Sequence, residues 1–92
     1  IGYRMQHEPI TQKIIGFRKS EPFGKLMKVN AAAGYFDGRS DHWKQKRSMG
    51  GGAIYDMGVY PLNAARYTIG LEPVAVTAKQ STTRPEIYQQ TD

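Results

Sequence analysis

The chain contains no cysteine and only two histidines. The first absence excludes a disulfide scaffold and every thiolate zinc site. His7 and His42 are too few to build a metal centre and read as surface or hydrogen-bonded side chains, so no metal ligand is assigned. No apolar run approaches the roughly 18–20 residues of a membrane span, and no basic-then-apolar leader is present. Large aliphatics are scarce too. Ile, Val, Leu and Phe number 17 of 92 residues, a little below the level at which a self-sufficient core becomes doubtful. The aromatics are too many, and the net charge of +5 too modest, for a disordered tail. The composition therefore predicts a folded segment of a longer protein whose core is completed elsewhere, an expectation that the opening at Ile1 also fits.

Periodicity predicts the order β-α-β-loop-α-β, an α+β arrangement. Residues 1–5 are β-compatible. Pro9 suits the first turn of a helix, in which Ile10, Ile14 and Phe17 recur at spacings of four and three. Residues 25–36 alternate as a strand covered on one face. Residues 37–49 are polar and irregular. From Ala53 to Ile69 the stripe Ile54, Gly58, Leu62, Ala65, Ile69 is helical, with Gly70 suited to its end. Pro61 lies inside that helix, removes the bond to the Met57 carbonyl, and predicts a kink or break near 57–60. Residues 73–81 read as the last strand, and the polar tail from Thr82 is free to fray.

The densest chemistry lies in residues 50–60, GGGAIYDMGVY. Asp56 and Tyr60 are four apart and share a helix face, and Asn63 and Tyr67 continue it. A phenol, which ordinarily titrates at about pH 10, can donate a proton to a developing alkoxide. It acts as a base only where a cation favours the phenolate. A carboxylate one turn away can orient it or bind a substrate hydroxyl. The spacing also fits a plainer arrangement, with Asp56 placed for the helix dipole and Tyr60 packed as an ordinary aromatic. The glycines lack the Lys-Ser/Thr of a P-loop. Trp43 beside Lys44, Lys46 and Arg47 could stack on a nucleic acid, but it fits a solvated basic loop better, and no nucleic-acid partner is expected. Tyr3 and Arg4 end the first strand, where α/β sheets present ligands, or they serve packing and solubility.

Four segments in order resemble the Gfo/Idh/MocA family of NAD(P)-dependent oxidoreductases, most closely its glucose–fructose oxidoreductase branch. They are residues 1–4; the Pro9 helix running to Phe23-Gly24-Lys25; Trp43-Lys44; and residues 50–70 followed by Glu72-Pro73 and a strand. The resemblance implies that residues 1–5 end an N-terminal dinucleotide-binding domain. Residues 6–92 then form the first part of an open-sheet C-terminal domain for substrate and oligomerisation. It implies hydride transfer to or from a sugar or polyol, with NADP or NAD held mainly by the other domain. The family's acid–base residue lies four after an aspartate, which implies Tyr60 as proton relay and Asp56 as its partner. Tyr3, Arg4, Asp56 and Asn63 fall on the substrate side. Trp43, Lys44 and Tyr3 fall on the cofactor side, with Lys44 where the family usually has Arg. The family's glycine-rich fingerprint and Glu-Lys-Pro segment belong upstream, so these 92 residues alone are expected to be inactive. A homo-oligomer paired through the sheet, a cytoplasmic location and no membrane partner complete these expectations. The alternative from another class is a non-catalytic interaction module that keeps the family's sheet for assembly.

Overall fold

Pro9 occupies the first turn of helix α1, Pro9–Ser20, where its missing N–H leaves no bond unmade. Arg18 and Lys19 lie in the last turn, favourable for the helix dipole. The helix stops at Glu21, which turns left-handed (φ 48°) and donates its N–H to the Phe17 carbonyl at 2.8 Å. Phe23 then folds back edge-on to Phe17, with ring centroids 6.0 Å apart. The computed structural model describes residues 3–87, and these divide into two compact units. One comprises residues up to Ala32 together with Tyr60–Ala75. The other comprises Ala33–Val59 together with the residues from Val76.

The first unit holds α1 and, from Tyr60 onward, helix α2, Val59–Ile69. Gly70 ends α2 as expected: its φ is +73°, and its N–H reaches the Arg66 carbonyl at 2.7 Å. Arg66 forks onto Glu72 at 2.6 and 2.9 Å and also donates to the Asn63 side chain at 3.1 Å.

The second unit is built of tight turns. The stretch 37–49, expected to be irregular, contains two 3₁₀ turns, Trp43–Gln45 and Arg47–Met49. The helix after the glycines begins as a π-helix, Ile54–Gly58. The interruption expected from Pro61 is thus a change of winding at Gly58–Val59 rather than a break. Pro61 has no N–H for the Met57 carbonyl, and the wider winding lies just where an α-helical ladder would have lacked that bond. Arg84 stacks its guanidinium 4.8 Å from the Phe36 ring centroid, which ties the start of the polar tail down.

The expected α+β order is overturned: among the described residues there is no strand and no sheet. Residues 25–36 and 73–81 are irregular. A strand exists through the ladder it shares with a neighbour. Alternating side chains mark a segment as able to join a ladder but do not supply the partner, and no described backbone bond pairs either segment. Of the strand expected over 1–5, Ile1 and Gly2 lie outside the described residues. Tyr3 and Arg4 are irregular, and Met5–His7 is a 3₁₀ turn.

The same absence explains the helices. The stripe Ile10, Ile14, Phe17 stays outward, and the less exposed positions of α1 are Thr11, Ile15 and Arg18, one residue further round. Leu62 is also exposed. With no sheet to lie on, the most apolar stripes find no cover, and no large side chain among the described residues is fully buried.

Candidate functional site

In the second unit the glycine run fixes a lysine. The Gly52 N–H donates to the Lys44 carbonyl at 2.8 Å, the Gly51 N–H to the Lys46 carbonyl at 3.0 Å, and the Gly50 N–H to the Arg47 carbonyl at 3.1 Å. A Cβ at Gly51 would lie 2.2 Å from the Lys44 carbonyl oxygen, so only glycine allows this approach. Residues 43–46 are thereby held against the start of the helix that carries Asp56.

The Lys44 ammonium donates to both oxygens of Asp56, 2.8 Å from Oδ1 and 3.0 Å from Oδ2. It also lies 3.1 Å from the Tyr35 hydroxyl. That hydroxyl donates to Asp56 Oδ2 at 2.7 Å. Lys44 Nζ stands 5.4 Å from the Tyr35 ring centroid and 5.7 Å from that of Trp43, over two aromatic faces. The side chains of Lys44 and Asp56 are only 27% and 19% exposed. A cavity of about 130 Å³ opens beside this triad, lined by Gly34, Asp37, Gln45 and Met57 among others.

Burial alone would raise the Asp56 carboxyl, but the hydrogen bonds from Lys44 and Tyr35 outweigh it and hold it below the ordinary carboxylate value. Lys44 is raised by the same bonds, to Asp56 first and Tyr35 second. Nearby, Arg39 holds Asp37 far below the usual range. Its Nε and Nη2 reach the two carboxylate oxygens at 2.8 and 2.6 Å. At neutral pH the cavity is lined by two carboxylates, each matched by a cation.

The other expected site residues lie in the first unit. Tyr3 packs against Tyr60 (centroids 5.8 Å apart) and stacks on Tyr67 (6.2 Å, planes 14° apart). Its hydroxyl is buried and has no hydrogen-bond partner. Burial, and after it the neighbouring Tyr67 and Tyr60, push its phenol up, so it remains a neutral donor. Asn63 is taken by Arg66. Arg4 is exposed and makes a loose 3.8 Å pair with Glu8.

Within the second unit the structure brings Asp56, Lys44 and Trp43 together, and within the first it brings Tyr3 to Tyr60. The sequence reading missed Tyr35, which meets Asp56 across 21 positions with no local pattern to announce it. It also missed Asp37 and Arg39, whose two-residue spacing was a legible turn signal.

The residues expected on a dinucleotide fit it only in part. Trp43 offers a half-exposed ring face. The Lys44 ammonium is committed to Asp56 and Tyr35, and the three glycine N–H groups are committed to backbone carbonyls. No pyrophosphate cradle exists among the described residues. No group of three or more metal-ligating side chains gathers among them either, and no helix among them is long and apolar enough to cross a membrane.

Comparison with known proteins places this geometry in context. The family model of the GFO/IDH/MocA C-terminal domain matches residues 12–92. An "Uncharacterized oxidoreductase ORF334" of Rhizobium meliloti is 58% identical over 31 residues, which are 34% of this chain and 9% of that protein. This chain therefore matches only a small part of that relative's length. No solved structure matches.

Proposed function

We propose a function for this chain from the family to which it belongs, GFO/IDH/MocA: it is the substrate-side part of a nicotinamide-dependent oxidoreductase that moves a hydride to or from a sugar or polyol. The observation that carries this is the family match over residues 12–92; that range contains Asp56 and Tyr60, four positions apart, as the resemblance implies for the family's acid–base pair. The family is generally NAD(P)-dependent, and the nicotinamide would supply or take the hydride. As the resemblance to the family implies, the dinucleotide is held mainly by other residues of the full-length protein. The contribution of this chain is to substrate and proton. Asp56, ionised, accepts hydrogen bonds from substrate hydroxyls. Tyr60 passes the proton to or from the reacting oxygen. Trp43 supplies an aromatic face beside Lys44, and Tyr3, packed on Tyr60, has an unpartnered hydroxyl ready to donate. A Tyr rather than His at position 60 is the feature that suggests the glucose–fructose branch.

The test is a titration of the full-length protein with NADPH and NADH, followed by nicotinamide fluorescence and then a sugar and polyol screen. Tight binding of either dinucleotide and turnover of a sugar support the proposal. A folded protein that binds neither overturns it. That outcome moves the weight to an assembly role, which the exposed Phe23, Met27 and Val74 of the first unit favour.

A further inference from the structure

We propose that Tyr35 and Lys44 are positioning residues for Asp56, a two-donor clamp that keeps its carboxylate ionised and aimed in one direction. The inference rests on the reading of Asp56 as the substrate-side carboxylate and adds the groups that make it one. Both carboxylate oxygens are engaged: Oδ1 by Lys44 at 2.8 Å, and Oδ2 by Tyr35 at 2.7 Å and Lys44 at 3.0 Å. Two donors on separate segments fix the rotation of the carboxylate, which one partner could not.

The clamp is itself held. The Lys44 backbone is bonded to Gly52 and closed over Gly51, where no Cβ fits, and its ammonium lies over the rings of Tyr35 and Trp43. A lysine suits the task. Its compact head rotates three donors toward three acceptors, the two oxygens of Asp56 and the Tyr35 oxygen, whereas a planar guanidinium presents its donors in a fixed fork.

A carboxylate so engaged is a poor proton acceptor. Asp56 therefore works as an anion that receives substrate hydroxyls on its remaining lone pairs, and the proton moves on another group. The charged groups around it are Lys44 and, at longer range, Asp37 and Arg39. Asp37 opposes the ionisation of Asp56 but is itself paired with Arg39.

The experiment uses the full-length protein, with Tyr35→Phe, Lys44→Met and Lys44→Arg variants. Two readouts are taken: the pH profile of kcat/KM, and the ¹³Cγ titration of Asp56 by NMR. Each lost donor weakens the ionised form, so the Asp56 titration and the acid limb of kcat/KM move to higher pH. The expected shift is about one pH unit or somewhat more for Lys44→Met, at the lower end for loss of an adjacent opposite charge because the pair is partly open to water. Tyr35→Phe shifts less, and Lys44→Arg recovers most of the Lys44→Met shift. A residue that merely supported the fold would lower activity without moving either titration.

Tyr35→Phe removes one oxygen from a half-exposed ring, so it keeps the test available should Lys44→Met fail to fold. An Asp56 titration in folded Tyr35→Phe that coincides with the unsubstituted protein overturns the clamp. Should the protein bind no nicotinamide, the oxidoreductase reading fails while the NMR titration still decides the clamp.

Discussion

Replacing Gly51 by Ala puts a methyl carbon 2.2 Å from the Lys44 carbonyl oxygen, 2.5 Å from the Lys44 carbonyl carbon and 2.8 Å from the Trp43 carbonyl oxygen. All three lie inside the 3.0 Å below which Cβ contacts are essentially not found, and all three are backbone atoms that cannot swing aside. Residues 43–46 must move off the glycines. The movement strains or breaks the Gly51 to Lys46 and Gly52 to Lys44 hydrogen bonds. Two such bonds contribute roughly 1 kcal/mol each, and overpacking of this kind costs about 1–3 kcal/mol. A net loss of about 3–5 kcal/mol follows, which at roughly 4–8 °C per kcal/mol lowers Tm by about 12–40 °C for a domain of this size. The assay is thermal unfolding of these 92 residues followed by fluorescence of Trp43, their sole tryptophan, which sits on the displaced turn. Gly16→Ala is the control. Gly16 lies in the interior of α1 with nothing within 4 Å of an added Cβ, so the same substitution there stabilises by about 0.5–1 kcal/mol. If Gly51→Ala melts with the unsubstituted protein, the close approach of the glycines to the Lys44 turn is wrong. The account of how Lys44 reaches Asp56 is then wrong with it.

Three further outcomes are expected. Tyr60→Phe in the full-length protein lowers kcat by roughly 10²–10⁴-fold, the usual reach of an acid–base group; near-normal kcat in steady-state assays removes Tyr60 from the proton path. Asp56 and Asp37 have folded-state pKa values below their unfolded ones. Their contribution is complete above about pH 4 and is lost as pH falls through the lower folded values. Urea midpoints at pH 6 and pH 3 should therefore differ less in Asp56→Asn than in the unsubstituted protein, and an equal drop refutes the pairing with Lys44. Glu72→Gln opens an exposed pair with Arg66 and should leave Tm nearly unchanged, because such pairs contribute little in water; a large fall in the melting curve contradicts that.

The sequence by itself determined the features that depend on near neighbours. Pro9 and the residues after it made α1, Gly70 closed α2, and Pro61 marked the place where the helical winding changes. Each is a matter of backbone geometry within one turn. The family was legible because the segments that resemble it are continuous runs, the longest being residues 50–70, and the family model covers residues 12–92.

What the sequence could not determine depends on partners far along the chain. The alternation in 25–36 and 73–81 qualified both segments as strands, but a ladder needs a second strand, and none is present among the described residues. The apolar spacings of the helices were legible, but the structure leaves Ile10, Ile14, Phe17 and Leu62 exposed, because which side is covered depends on what lies opposite. The site divides in the same way. Asp56 and Lys44 were singled out separately, one for substrate and one for cofactor, and only the tertiary structure joined them and brought in Tyr35. Hydrogen bonds between residues 12 and 21 positions apart leave no periodic trace in a sequence. They are set by the path of the backbone, here by a glycine close enough to a lysine carbonyl to leave no room for a methyl group.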